Sequence, residues 1–176
     1  MQQQEQEQEQ EQDLDLGAFT TALDGAMYVV TAAAEGRRAG CLVGFASQCS
    51  IDPPRFAVWL STSNRTHRVA RRARYLTVHL LRRDQHALAE LFGGRTGDTV
   101  DKFARVGWRA GREGCPVLSD VADWFTGRIE AIVEGGDHEA FLLAPVEQST
   151  AAPDTDRSAP PLRFGDVRTI EAGHPA

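Results

Sequence analysis

Residues 61–68 of the chain, STSNRTHR, follow an apolar run and open a stretch of helical character. Ser61, Ser63 and Thr66 bring hydroxyls to that opening, Asn64 an amide and Arg65 a charge. Unpaired N–H groups and the positive end of the helix dipole suit a phosphate there. Ordinary capping explains one such residue but not the cluster. Upstream, ASQCSIDPP (46–54) gathers Ser47, Gln48, Cys49 and Ser50 behind Ala46 and ahead of a double proline. An irregular chain there would free main-chain donors for a polar ligand, while a strand end with turn residues is the plainer reading. In GGDHEAF (135–141) the glycines and the aspartate suit a turn, but no turn requires His138. Taken alone, His138 reads as a surface residue of a hairpin. Lys102, beside Phe103 in DTVDKFARVGW, reads as a surface charge unless the fold brings it to the same phosphate.

Other chemistries lack their signatures. His67, His79, His86 and His138 do not show the i, i+4 spacing of a helical zinc pair, so no metal site is expected. Cys41, Cys49 and Cys115 form no C-x-x-C pair, and an odd count without a secretory signal points to reduced thiols in the cytoplasm. Neither G-x-S-x-G nor a strand–G-x-G-x-x-G–helix unit is present. His79, at an alternating strand position, would face a ligand or a partner subunit, and His86 solvent. Arg68, Arg71, Arg72 and Arg74 read as a solvated helix face. With 19 Lys and Arg against 25 Asp and Glu the net charge is -6, which disfavours nucleic acid as a partner. No apolar run approaches the roughly 20 residues of a membrane span.

These residues need a scaffold, and its elements are legible. MQQQEQEQEQEQ is polar and repetitive, so residues 1–16 read as a disordered leader. Residues 17–148 read as one domain and 149–176 as a loop and tail. AMYVVTAAAEGRRAGCLVGFASQCSI reads as strand, turn, strand, stopped by the prolines. RFAVWL, apolar on both faces, reads as an inner strand, and LTVHLL alternates. Helices are expected from Ser63, Asn64 or Thr66 onward, over 84–92 and around 98–105. Two strands flank the GGDH turn, with Ile129, Ala131 and Val133 on one face of the first. Ala140, Leu142 and Ala144 share one face of the second, opposite Phe141 and Leu143. Strands with short links and few helices predict a mainly β barrel or sandwich with peripheral helices.

In their order, MYVVTA, GCLVGFASQCSIDPP, RFAVWLSTSNRTHR, DKFA, CPVL and GDHEAF resemble the flavin reductase-like family over roughly residues 18–147. The resemblance implies a six-stranded antiparallel split β-barrel and a homodimer with FMN or FAD near the subunit interface. It implies flavin contacts along Ala46, Ser47, Gln48, Cys49 and Ser50. Ser61, Ser63, Asn64 and Thr66 would hold the phosphate, with help from Lys102 and Phe103. His138 would lie on the nicotinamide side and help place NADH or NADPH. The implied activity is NAD(P)H-dependent flavin reduction that supplies a partner monooxygenase. The alternative is a split barrel that holds a flavin, a deazaflavin or haem without that turnover.

Overall fold

A computed structural model describes residues 14–150 and 159–173. All but the last three residues of the expected leader lie outside the described residues. Helix α1 (Gly17–Leu23) precedes strands β1 (Tyr28–Ala34), β2 (Arg37–Val43), β3 (Ala46–Ile51) and β4 (Pro54–Ser61). Then come α2 (Arg65–Ala70), β5 (Tyr75–Leu80) and α3 (His86–Gly93). The short strands β6 (Trp108–Ala110) and β7 (Pro116–Leu118) follow, and then the long hairpin of β8 (Trp124–Glu134) and β9 (His138–Gln148).

Seven strands form one antiparallel sheet in the order β2-β1-β5-β8-β9-β4-β3, and β6 pairs with β7 apart from it. The fold is mainly β, as expected. It differs in having seven strands rather than six, and in leaving β2 and β3 as edges, so strand pairing does not close the barrel. The extra strand comes from splitting the second predicted one at Gly44 and Phe45, after which the chain turns into β3. Glu35 and Gly36, both at positive φ (53° and 72°), make the tight turn between β1 and β2 that such a hairpin favours.

The sheet has two sides. Val30, Val58, Leu60, Leu76, Val78, Phe141 and Leu143 pack into the core on the inner side, under Val69 and Ala70 of α2. Burial of each of these larger side chains contributes about 1.5–3 kcal/mol, which sets the sheet's curvature and position firmly. A second core joins Met27, Val29, Leu81, Phe92, Phe103 and Leu118 to Leu162 and Val167. The segment expected as a tail from residue 149 therefore returns to the domain over 159–173 and supplies buried apolar residues.

Three expectations are corrected by the register. Ile129 pairs with Leu143 but Ala131 pairs with Leu142, so a bulge at Glu130 puts Ile129 on the inner side and Ala131 and Val133 on the outer. Around residues 98–105 only a short 3-10 turn forms, Lys102–Arg105. His79 faces neither ligand nor solvent: it is fully buried in the central strand β5.

Candidate functional site

The outer side of β9, β4 and the β2–β3 corner is the floor of a cavity of about 590 Å³. Its rows follow from the register. Val133, Ala140 and Trp59 are successive partners across β8, β9 and β4, and the Trp59 N–H donates to the Phe45 carbonyl at 2.9 Å. One row further along, His138 pairs with Ser61. A strand that pairs at Trp59 and Ser61 must present both residues on one face, and the cavity takes that face.

His138 stands in this cavity with its ring 5.3 Å from that of Phe45, centroid to centroid. Its Nδ1 lies 2.8 Å from Asp137 Oδ1, and this hydrogen bond holds the Asp137 carboxyl below the usual range. With Nδ1 on the aspartate, the Nε2 edge of the ring is turned to other contacts. Gly135 lies hard against Trp59, since a Cβ there would come within 2.3 Å of the indole. The glycine is thus required by close approach, and it brings the hairpin tip over the cavity floor.

Ser61 and Asn64 line the same cavity. Asn64 caps α2, its Oδ1 accepting from the Thr66 N–H at 2.8 Å, so the cap is the middle of the three candidates. The Ser61 and Ser63 hydroxyls share a hydrogen bond of 2.9 Å. Opposite, α1 contributes Phe19 and Leu23, and its N-cap Leu16, all largely exposed. The result is an apolar slot with a flat aromatic floor, a hydroxyl and amide corner, and an imidazole at one wall. Such a lining suits a planar, partly apolar ligand with a polar tail.

The other expected residues take different places. Ala46 to Ser50 form edge strand β3, which runs on from Phe45 and leaves one main-chain edge unpaired. Their donors are thus freed by position at the edge rather than by an irregular chain. The side chains are occupied locally: Ser47 Oγ donates to the Gln48 carbonyl at 3.0 Å, Gln48 Nε2 to that of Ser50 at 3.0 Å, and Ser50 Oγ to that of Pro53 at 2.7 Å. Cys49 is the bulged residue between the pairs at Gln48 and Ser50.

Thr66, Lys102 and Phe103 line a neighbouring groove, behind Gly40 and Cys41 of β2. Lys102 is 5% exposed, and its Nζ donates to the carbonyls of Phe92 (2.8 Å) and Gly40 (3.1 Å). Burial pushes the ammonium down to about 8, and the nearby Cys41 draws it back only in part. Phe103 packs edge-on against Phe92 and Trp108. Lys102 is thus not the surface charge that its neighbourhood in the sequence suggests.

Sequence reasoning missed Phe45, Trp59 and the residues of α1. Phe19 and Leu23, four apart before the first strand, carried a weak helical signal. Trp59 gave none, because its role depends on a glycine 76 positions away in the chain.

Four likenesses bear on this geometry. A family model described as flavin reductase like domain matches residues 21–169. The chain is 35% identical over 127 residues to a probable flavin reductase of Rhizobium meliloti, a match that covers 72% of this chain but 39% of that protein. It is 30% identical over 128 residues to the FMN reductase (NADH) RutF of an Enterobacter species, covering 73% of this chain and 77% of that one. Among solved structures, an FMN-binding protein of Thermus thermophilus with bound p-hydroxybenzaldehyde superimposes with a TM-score of 0.69 at 26% identity, over 76% of this chain and 75% of that one. The chain thus spans well under half of the first of these relatives and about three quarters of the other two.

Proposed function

The chain belongs to the flavin reductase like domain family, and from that premise we propose that it is an NAD(P)H-dependent flavin reductase. It takes FMN or FAD and passes reduced flavin to a partner monooxygenase. The observation that carries this reading is the convergence of Ser61, Asn64 and His138 on one apolar cavity.

In this reading Ser61, Ser63 and Asn64 hold the flavin phosphate, with the buried Thr66 supporting them from the neighbouring groove, and the open main-chain edge of Ala46–Ser50 runs beside the ring. Lys102 and Phe103 support that end from behind, the ammonium tying β2 to the end of α3 through the Gly40 and Phe92 carbonyls. Phe45 and Trp59 exclude water from one face of the ligand. A bound flavin would supply the hydride acceptor. His138, oriented by Asp137, positions the nicotinamide; its role is steric and polar, because the hydrogen leaves the nicotinamide carbon with both bonding electrons and no base is needed to remove it. The outer sheet face around Val133, Trp59 and Phe45 packs against a second copy, giving a homodimer. Among the described residues no helix is long and apolar enough to cross a membrane, and the free thiols of Cys41, Cys49 and Cys115 accord with a cytoplasmic protein.

The test is NADH and NADPH oxidation with FMN, with FAD and without added flavin, repeated for His138→Ala. We expect turnover that saturates with flavin, and a loss of about ten-fold or more in kcat/KM for the nicotinamide in the variant, with flavin affinity nearly unchanged. Tight flavin binding without oxidation of either nucleotide would replace this reading with that of a flavin-holding module.

A further inference from the structure

We propose that the arginine-lined groove on the far side of α2 binds the phosphorylated adenosine end of a dinucleotide. The groove, of about 580 Å³, is lined by Arg37, Arg65, Arg68, Arg71 and Arg72. That volume lies within the roughly 300–1,000 Å³ of small-molecule sites. In a chain of net charge -6 this concentration of guanidinium groups is a local reversal of sign.

The carboxylates present do not neutralise it. Asp98 is shared, lying 2.9 Å from Arg68 and 3.6 Å from Arg65. Glu35 takes Arg72 at 3.3 Å and Glu139 takes Arg71 at 2.6 Å. Arg37 has no partner among the described residues, so five arginines face three carboxylates. The ring of His67, 7% exposed, lines the same groove; its Nε2 is held by Glu139 at 2.7 Å while its Nδ1 has no hydrogen-bond partner. Planar guanidinium groups bind phosphate oxygens in pairs and also stack on a purine.

Position supplies the rest. Ser61 and Asn64 line the first cavity, whereas Thr62 and Arg65, their sequence neighbours, line the groove. A ligand whose first phosphate sits at Ser61 and Asn64 needs only to pass the start of α2 to enter it. Ala34, backed by the buried Val69, leaves an apolar patch against which a base can lie. The shared chemistry is a phosphate ester of adenosine, available from the pyrophosphate end of FAD or from the 2′-phosphate of NADPH.

This deepens the flavin reductase reading, so the first titrations are run without flavin. ADP and adenosine 2′,5′-bisphosphate are titrated calorimetrically into the purified full-length chain, into Arg37→Ala/Arg65→Ala and into Arg37→Lys/Arg65→Lys. Saturable binding of at least one ligand is expected, weakened about ten-fold or more by the alanines and less by the lysines, which keep the charge but lose the planar paired donors. Binding of ADP assigns the groove to FAD, and binding of the bisphosphate assigns it to NADPH. Absence of binding by both overturns the proposal, as does binding of inorganic phosphate with equal affinity. A parallel titration with FMN and FAD provides a further check: equal loss for both in the alanine variant would mean that the groove holds the flavin's own phosphate, and would also overturn it. NADH oxidation enters none of these readouts, so failure here is separable from failure of the reductase reading.

Discussion

His79 is fully buried and held at both ring nitrogens. Its Nδ1 lies 3.0 Å from the Val29 carbonyl and its Nε2 accepts from the Leu118 N–H at 3.0 Å, which fixes the neutral ring with its proton on Nδ1. Burial pushes its pKa from 6.5 down to about 4, against the smaller upward pull of the Val29 carbonyl. The unfolded chain takes up this proton below about pH 6.5 and the native chain does not. The contribution is therefore whole above that pH and is lost as the pH falls toward 4, by an amount on the order of 3 kcal/mol. Urea midpoints measured at about pH 7.5 and about pH 5 should show about 2 kcal/mol of this loss, the rest coming at lower pH. In His79→Leu that part of the pH dependence should vanish, while stability at neutral pH drops by about 2–4 kcal/mol because a buried N–H and C=O lose their partners. The alternation of LTVHLL placed His79 on a strand correctly. Its partners lie 50 and 39 positions away, and no local pattern reveals them. His138 is the opposite case: its neighbour Asp137 is adjacent in sequence, but Ser61 and Phe45 meet it only through pairing across β4 and β9.

The β8–β9 hairpin decides where His138 stands, and its tip is set by contact rather than by turn chemistry alone. A methyl group at Gly135 would come within 2.3 Å of the Trp59 ring, so Gly135→Ala should tilt the tip or displace the indole. We expect it to cost about 1–3 kcal/mol of stability, to alter tryptophan fluorescence, and to impair NADH oxidation even with His138 intact. An unchanged emission spectrum and unchanged turnover would show that the hairpin tip is not held there. The turn itself was legible from GGDH, and β9 from its alternation. The bulge at Glu130 was not, because period-two counting carries Ile129, Ala131 and Val133 to one face. Glu130 accepts from Arg55 at 2.6 Å and from Arg128 at 3.0 Å, and a residue drawn toward two charged partners on the outside can leave the ladder. The C-terminal segment is obscure in the sequence for a related reason. Its proline-rich approach looks like a tail, and only the main-chain pairing of Leu162 with Met27 and Leu81 accounts for its full burial.

At the scale of the molecule, one sheet face carries apolar groups that the monomer leaves open. Phe45 is 51% exposed and Val133 is 53% exposed, in the row that crosses Ala140 and Trp59. If two copies meet there, Val133→Arg should convert the protein from dimer to monomer in sedimentation equilibrium and weaken flavin binding at once, since the cavity opens on the same face. A wild-type monomer would remove the dimer from the reading and leave the cavity as it stands. The barrel-like class was legible from strand density, but openness was not, because it depends on which strands end the sheet. That ending has a consequence of its own. An edge strand such as β3, with one side unpaired, is a template on which further chains can stack into filaments, especially with Ile51 exposed at its end. The bulge at Cys49 interrupts the ladder, and Pro53 and Pro54 stop the strand soon after. Loss of residue 49 would straighten that edge, so the thiol's position protects the protein from aggregation whether or not the sulfur ever reacts.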